Sequence, residues 1–289
     1  MKYTERSLRI INNAEKVAGQ TTEIVLPIHL LMGALLERTG VCAELLINFP
    51  TLYESLYNQI NKKGYGVREE RMNYSPFTTV ISNSTKQVLM SAQKRMERFK
   101  QVYVNEGLII NALFELNDPL TTSITRGLDI KRILEIASYP RDLIVPLKDY
   151  SLPEIKNRGF IVRRAESKDF VSLKNFVYKE YGDGWIISIE NGISKGKIPI
   201  YIAEKDGEIL GFACFDVVRN KKGIFGPMGT SITNRIQGIG NALLHYCLKE
   251  MKEFGYEYAI IGEAGPIEFY EKTCNAVIIP KPLIVKKCT

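Results

Sequence analysis

Apolar residues follow a helical period through the first half of the chain, from Tyr3 to about Ala137. Thr4 can cap a first helix, whose apolar positions recur every three or four residues at Leu8, Ile11, Ala14 and Ala18. The segment PIHLLMGALL, residues 27–36, predicts a second helix that begins at its proline. Because strand-like alternation is scarce here, the first half is predicted to be all-α.

The same half contains an internal repeat. A shift of 78 residues (82 − 4 = 78) places Thr4 on Ser82 and lays HLLMGALLE, residues 29–37, over GLIINALFE, residues 107–115. Two amphipathic helices always share some apolar matches, but here the alanine, leucine and glutamate identities fall at one constant offset. The offset predicts two copies of a small helical unit.

The second half has short apolar runs that alternate with helical segments. Strands are predicted at 160–164, 198–218 (a hairpin around Asp206-Gly207), 222–232, 256–261 and 276–280. Helices are predicted at 169–181, 185–195, 239–254 and 268–273. This order predicts a mixed sheet with helices, an α/β or α+β domain.

The stretch between the halves, residues 139–158, contains three prolines and no consistent period, which is typical of a linker. We therefore expect two domains, residues 1–138 and 159–289, joined by that linker. A chain of 289 residues is long enough for both domains to bury a core.

Composition and charge narrow the class of protein. The net charge of +7 is spread over both halves, whereas nucleic-acid-binding proteins concentrate it on one face, so a nucleic-acid partner is not expected. No apolar run approaches the ~18 residues of a membrane span, and the first residues lack the pattern of a signal peptide. Five scattered cysteines and two histidines predict no metal site. These features favour a cytoplasmic protein.

The stretch NRIQGIGNALL, residues 234–244, predicts a phosphate-binding turn. Gly238 and Gly240 let several amides approach a ligand at the start of a helix, and Arg235 adds positive charge. A dinucleotide, a nucleotide triphosphate and an acyl-coenzyme A are the candidate ligands, and a glycine pair that only caps a helix is the alternative. Leu243 replaces the third glycine of a dinucleotide motif, and no lysine-hydroxyl ending follows, which argues against the first two ligands.

The stretch from Arg235 to Leu244 resembles the arginine-x-x-glycine-x-glycine motif of the GNAT acetyltransferases. The resemblance covers about residues 160–280 and includes the order of the elements. It implies that the turn and the helix start hold the pyrophosphate of acetyl-coenzyme A through Arg235, Ile236, Gln237, Gly238, Ile239, Gly240 and Asn241. It also implies that the strand containing Met228, Gly229 and Thr230 pairs with pantetheine and polarises the thioester carbonyl through its backbone.

A second signature of that family follows the predicted strand at 256–261. Phe269, Tyr270 and Lys272 match its phenylalanine-tyrosine-x-lysine pattern, although Asn275-Ala276 stands where members continue with glycine-phenylalanine. The resemblance implies that Tyr270 protonates the departing thiolate and that Lys272 lies beside the cofactor.

The amine needs a base to become a neutral nucleophile. Glu263, at the end of a predicted strand, is the first candidate, and Glu204 on the hairpin is the second. A relay through water is the alternative to either. Trp185, the only tryptophan, is expected in the core or in the wall of an acceptor pocket.

The first half is similar to the amino-terminal domain of Clp-type chaperones, a pair of helical repeats. Thr4-Glu5-Arg6 and His29-Leu30-Leu31 match the motifs of that family over roughly residues 1–138. The resemblance implies recognition of substrates or adaptor proteins. Some members bind phosphoarginine through a glutamate in each repeat, and here the two positions are Ile28 and Glu106, so one acid is missing.

These expectations combine into one function. The chain is expected to be an N-acetyltransferase that moves an acetyl group from acetyl-CoA to an amine of a small molecule or a protein. The first domain would act as a protein-recognition module, and neither a metal nor a membrane is involved. The alternative is a non-catalytic adaptor or acyl-CoA sensor that binds Clp-related partners.

Overall fold

The computed structural model describes residues 2–62, 70–155, 159–231 and 238–281. The chain divides into two compact units. Residues up to Pro140 belong to the first unit, which Pro280 and Lys281 rejoin, and Arg141–Ile279 form the second unit. Each unit is described by itself below.

The first unit is helical, as the period of its apolar residues predicts. A short two-stranded sheet, β1 and β2, lies between two sets of helices. The elements in chain order are α1 (Glu5–Gly19), α2 (Pro27–Glu37), α3 (Gly40–Asn48), α4 (Leu52–Lys62), β1 (Arg71–Met72), β2 (Ile81–Ser82), α5 (Asn83–Arg98), α6 (Glu106–Glu115), α7 (Pro119–Ile124) and α8 (Ile130–Ala137).

The helices of the first unit repeat at the offset found in the sequence. From α1 to α5 the first residues differ by 83 − 5 = 78, and from α4 to α8 they differ by 130 − 52 = 78. The caps repeat as well. The Thr4 side chain accepts a hydrogen bond from the Ser7 N–H, and the Ser82 side chain accepts one from the Thr85 N–H.

Close helix packing builds the core of the first unit. A methyl group placed on Gly33 of α2 would lie 2.3 Å from the carbonyl oxygen of Ile10 in α1, so only glycine permits this approach. In the two central helices, α2 and α6, several apolar side chains are fully buried. They include Leu30 and Leu31 of α2 and Ile109 of α6. The apolar faces predicted for these helices therefore form the core.

The second unit contains a mixed sheet with helices, which confirms the predicted α/β class. Its elements are β3 (Arg141–Pro146), β4 (Ile161–Arg164), α9 (Phe170–Tyr181), α10 (Ile186–Ile193), β5 (Ile200–Lys205), β6 (Glu208–Phe215), β7 (Ile224–Thr230), α11 (Ile239–Glu253), β8 (Tyr258–Ala264), α12 (Ile267–Cys274) and β9 (Val277–Ile278). The described strands are ordered β4-β5-β6-β7-β8-β3-β9. The β7–β8 pair is parallel, and the other pairs are antiparallel.

Helices cover both faces of this sheet. Helices α9 and α10 pack against Ile202 and Phe212 on one face. Side chains alternate between the two faces of a strand, so Gly211 in β6 points to the other face. A methyl group on Gly211 would lie 3.0 Å from Cγ2 of Ile239 in α11, which places that helix on the opposite face.

The expected linker, residues 139–158, requires a correction because its first part is a strand. Residues 141–146 form β3, which pairs with β8 and β9. Leu143 and Val145 are buried while Asp142 and Pro146 are exposed, which is the alternation of a strand with one buried face. Pro146 stands at the strand's end, where a missing N–H is tolerated. The domain boundaries at 138 and 159 stay predictions.

The described residues contain neither a helix of membrane-spanning length and hydropathy nor a group of three or more His, Cys, Asp or Glu side chains arranged to hold a metal ion.

Candidate functional site

The start of α11 leaves several amides for a ligand. Gly238 precedes the helix with φ of 81° and ψ of 8°, a left-handed conformation that glycine adopts without strain. No side chain of the described residues caps this end. The first N–H groups of a helix have no acceptor within it, and the helix dipole makes that end positive. The predicted contacts Arg235, Ile236 and Gln237 lie outside the described residues.

Strands β7 and β8 separate soon after they meet. Their parallel ladder contains Ile224 opposite Ile260 and Phe225 opposite Ile261, and it ends there. The Ser231 N–H donates a hydrogen bond to the carbonyl of Leu210, which precedes Gly211 in β6, at 2.9 Å. Backbone groups alternate sides along a strand, so those of the even-numbered residues just before Ser231, which are Thr230 and Met228, point toward the β8 side.

Met228 and Thr230 are those even-numbered residues. Beyond the last β7–β8 pair, their backbone groups face a gap between the two strands in the part of the sheet that is described. A ligand with amide groups could occupy this gap as an extra strand would. The backbone placement expected for Met228, Gly229 and Thr230 is therefore compatible with the geometry.

Gly240 is the point where three predicted elements come together. A methyl group placed on it would lie 3.8 Å from Cζ of Phe269, 3.9 Å from Cε of Met228 and 3.9 Å from Cγ2 of Thr230. The start of α11, the separated part of β7 and the first turn of α12 thus surround one position. Asn241, the next residue of α11, is exposed.

Tyr270 lies in α12 with only 7% of its surface exposed. Its ring makes edge contacts with Phe225 of β7, at 6.4 Å between centroids, and with Phe269, at 5.0 Å. Phe225 is the last β7 residue paired with β8, so Tyr270 lies beside the start of the gap. Burial raises the pKa of the Tyr270 hydroxyl above its ordinary value, which keeps it protonated at neutral pH.

Lys272 lies two residues after Tyr270 in α12 and has an ionic partner within the same helix. Its Nζ is 2.9 Å from Oε1 of Glu268, four residues earlier. About half of the Lys272 side chain is exposed, whereas Glu268 is buried.

The two base candidates have different surroundings. The Glu263 side chain is 78% exposed, and its Oε1 is 3.5 Å from Nη2 of Arg219. In β8, Glu263 comes two residues after Ile261, the last residue paired with β7. Its backbone is left-handed, with a φ of 50°, and its N–H donates a hydrogen bond to Oδ1 of Asp142 at 2.8 Å. Glu263 is thus at the level of the gap.

Glu204 lies on β5, two strands away from β7 in the sheet order. Strand spacing of about 4.8 Å puts it roughly 10 Å from β7. Arg163 donates to both of its carboxylate oxygens, at 3.0 and 2.7 Å, and also to both oxygens of Asp169, at 2.6 and 2.9 Å. The structure does not bring Glu204 together with the other site residues.

Two aromatic residues near the gap come from α9 and the turn after it. The Tyr181 hydroxyl donates to the carbonyl of Thr230 at 2.5 Å. The Trp185 ring packs against the Tyr181 ring in a tilted arrangement, with 4.6 Å between centroids, and also contacts Phe212. Trp185 is therefore part of the predicted core or wall. Sequence reasoning missed Tyr181, because its partner is a backbone carbonyl 49 residues away.

Family comparisons agree with this geometry. The model of the Clp repeat (R) N-terminal domain matches residues 2–128, and the model of the acetyltransferase (GNAT) family matches residues 162–276. Residues 2–128 are thus similar to a Clp repeat domain and residues 162–276 to a GNAT domain. The GNAT match begins in β4 and ends before β9, so β3 precedes it. It supports an acetyltransferase class of activity.

Three solved structures illustrate the similarity. A GCN5-related glucosamine N-acetyltransferase region of a fungal multi-domain β-N-acetylglucosaminidase is 14% identical, with a TM-score of 0.43 over 49% of this chain and 20% of that one. The N-terminal domain of ClpD from Arabidopsis thaliana is 20% identical, with a TM-score of 0.39 over 47% of this chain and 91% of that one. The Hsp104 N-terminal domain from Candida albicans is 22% identical, with a TM-score of 0.34, over 47% and 88%.

The chain thus spans about a fifth of the length of the fungal relative. The comparison with curated proteins found no match.

The Clp repeat domain places both phosphoarginine-related positions in its interior. Ile28 is fully buried, and Glu106 is 3% exposed. Glu106 accepts a hydrogen bond from Nη1 of Arg6 at 2.8 Å, and both side chains are buried. A buried carboxylate needs such a partner, so the charge of Glu106 serves the contact between the two repeats.

Proposed function

We propose that the GNAT domain transfers an acetyl group from acetyl-CoA to an amine. The observation that carries the proposal is the convergence at Gly240 of three parts: a helix start and a β7 edge, both without a cap or strand partner among the described residues, and the element that contains Tyr270. Each of these parts has a separate task in acyl transfer from a coenzyme thioester. Their meeting at one position is what a single extended ligand requires.

The acetyl-CoA would run from α11 along β7. Its pyrophosphate would accept hydrogen bonds from the amides of Ile239, Gly240 and Asn241, where the helix dipole favours negative charge. The amides of pantetheine would pair with backbone groups of Thr230. The Met228 N–H would then polarise the thioester carbonyl, as backbone donors do in other acyl transfers.

The transfer step conserves atoms and charge. The neutral amine attacks the thioester carbonyl carbon, a C–N bond forms and the C–S bond breaks. The amine nitrogen loses a proton, and the sulfur leaves as a thiolate. Tyr270 would donate its proton to that sulfur, since burial raises the pKa of its hydroxyl and so keeps it protonated at neutral pH.

Glu263 is the better placed acceptor for the amine proton, directly or through water. It lies on β8 after the last residue paired with β7, and its carboxylate is open to solvent. The carboxylate of Glu204 is occupied by Arg163 on a distant strand, so we do not assign it this role.

The Clp repeat domain would act as a protein-recognition module that presents an acceptor or recruits a partner. The similarity of residues 2–128 to the Clp repeat (R) N-terminal domain supports this role. The acceptor amine then belongs either to a protein bound by this domain or to a small molecule that enters the GNAT domain alone.

The second candidate function is an adaptor or acyl-CoA sensor without catalysis. It is favoured by the solvent exposure of Glu263, whose carboxylate lies beside Arg219 rather than in a dry site. A sensor would bind acetyl-CoA but would need neither a base nor Tyr270.

Two measurements on the full chain test these functions. Calorimetry with acetyl-CoA should show binding, and no heat at millimolar ligand would exclude the GNAT activity. Release of free thiol is then followed with a panel of small amines, lysine peptides and protein amino termini. Accelerated release by any acceptor supports catalysis. Binding without accelerated release, together with capture of Clp-related partners through residues 1–138, supports the adaptor.

A further inference from the structure

Tyr181 contacts the edge of β7 from the face of the sheet opposite α11. It is the last residue of α9, and its hydroxyl donates to the carbonyl of Thr230 at 2.5 Å. The backbone groups of Thr230 point toward the gap between β7 and β8, because the neighbouring Ser231 N–H points to β6. The phenol of Tyr181 therefore reaches the lining of the gap.

The ring of Tyr181 also explains the glycine at position 229. A methyl group on Gly229 would lie 2.5 Å from Cε2 and 2.6 Å from Cζ of that ring. Gly229 does not have a positive φ, so its backbone conformation suits any residue. What excludes a side chain is the ring, which Trp185 and Phe212 hold in place at centroid distances of 4.6 and 6.4 Å.

We infer that Tyr181 is a positioning residue for the coenzyme. Its hydroxyl holds the Thr230 carbonyl so that the edge of β7 is ordered before the ligand arrives. A carbonyl oxygen has two lone pairs, so the hydrogen bond from Tyr181 leaves one for an amide of pantetheine. A strand edge that is already ordered binds more tightly, because less conformational freedom is lost on association. This inference rests on the proposed function.

The inference predicts a lower affinity for the coenzyme when only the hydroxyl of Tyr181 is removed. Tyr181→Phe keeps the ring against Gly229 but loses the hydrogen bond to the Thr230 carbonyl. The net contribution of a typical hydrogen bond corresponds to about a fivefold rise in the Kd for CoA. The KM for acetyl-CoA should rise by the same factor, while kcat at saturating acetyl-CoA stays within about twofold. A purely structural role would not separate KM from kcat in this way.

A double-substitution cycle tests the ring contact. Gly229→Ala in the otherwise unchanged chain should weaken CoA binding by more than Tyr181→Phe does, because the ring must move. In a Tyr181→Ala background the same Gly229→Ala change should add less than twofold. Tyr256→Phe is the matched control, because it removes a hydroxyl that is bonded to Asp216, at 2.6 Å, elsewhere in the same unit.

Calorimetry with CoA on the full-length variants decides the outcome, with far-UV circular dichroism to check folding. An unchanged or lower Kd for Tyr181→Phe overturns the inference, and so does an equal effect of Gly229→Ala in both backgrounds. If Gly229→Ala does not fold, Tyr181→Phe against Tyr256→Phe decides alone. If the unmodified chain does not bind CoA, the proposed function fails and the inference with it. If it binds and Tyr181→Phe is silent, only the inference fails.

Discussion

At the scale of single residues, the polar side chains predicted for the site have surroundings that differ sharply. Tyr270 is buried against two phenylalanines, Glu263 is open to solvent, and Glu204 is held by an arginine. The motif in the sequence identifies Tyr270, but no local pattern reveals that Arg163 occupies Glu204. That pairing joins residues 41 positions apart on neighbouring strands, so it depends on sheet register.

Replacing Tyr270 tests the proposed acid. Tyr270→Phe should lower kcat for acetyl transfer by roughly 10²-fold, because general acid catalysis contributes on that order. The Kd for acetyl-CoA should change by less than twofold, since the ring remains. Thiol release and calorimetry give the two values. The control Tyr256→Phe should leave both unchanged, and an unaltered rate in Tyr270→Phe would remove the acid role.

His29 makes the stability of the Clp repeat domain depend on pH. It is fully buried, and its Nδ1 accepts the Leu26 N–H at 3.0 Å, so the neutral ring carries its proton on Nε2, 3.1 Å from Thr21. Burial lowers the pKa of His29 to about 4, whereas an unfolded histidine has a pKa of about 6.5. The unfolded state therefore binds the proton first, and stability is lost as the pH falls from about 6.5 toward 4.

Denaturation with urea at pH 7 and pH 5, followed by far-UV circular dichroism, measures this effect. The contribution of His29 should fall by about 2 kcal/mol between the two pH values. His29→Gln is the control, because glutamine at the third helical position can accept the same N–H without titrating. An equal loss of stability in the variant would assign the pH dependence to other groups.

At the scale of elements, α11 has a left-handed glycine at each end, and only one of them faces the site. Gly238 has φ of 81° and Gly255 has φ of 85°. Alanine at either position costs roughly 1 kcal/mol of stability through strain. Gly238→Ala should also raise the Kd for acetyl-CoA about tenfold, because a changed backbone conformation at position 238 would alter the direction of the N–H groups at the start of α11.

The matched control for that prediction is Gly255→Ala. A methyl group there would meet nothing within 4 Å, so the variant isolates the backbone strain. Calorimetry should show unchanged affinity for Gly255→Ala. If both variants lose affinity equally, the helix start has no specific part in binding.

The sequence predicts local elements well and strand β3 badly. The hairpin of β5 and β6 and the helix α11 follow from Asp206-Gly207 and from an apolar period that neighbouring residues carry. Strand β3 finds its partners in β8 and β9, more than a hundred residues later. Its prolines at 140 and 146 suggest a linker, and the weak alternation between them is the only local signal.

At the scale of the whole molecule, two units with separate cores share one chain. Trp185, the only tryptophan, is partly buried against the core of the second unit, so its fluorescence reports the unfolding of that unit. Acetyl-CoA at a hundredfold its Kd should stabilise the folded second unit by about 2.7 kcal/mol, since a ligand that binds only the folded state adds RT ln(1 + L/Kd) to its stability, where L is the free ligand concentration.

Urea titrations with and without acetyl-CoA measure that shift. Acetate and free adenine at the same concentration serve as controls, because neither spans the turn at α11 and the edge of β7. A transition that acetyl-CoA leaves in place would contradict coenzyme binding by the GNAT domain.

The repeat offset of 78 residues predicts the double helical unit of the first half, because each copy carries its own caps and apolar face. The pairing of Glu106 with Arg6 was not visible in the sequence. It joins residues 100 positions apart, and only the packing of one repeat on the other brings them together.

The position of β3 has a consequence for the order in which the protein folds during synthesis. The chain must grow by 258 − 146 = 112 residues after β3 before the first residue of β8 is made. At ribosomal rates of about 5–20 residues per second, that interval lasts roughly 6–22 s. All helices of the first unit, which end at Ala137, have been made by then and can fold before β8 exists. Strand β3 meanwhile has no partner, and the GNAT sheet closes last, around a strand that was made first.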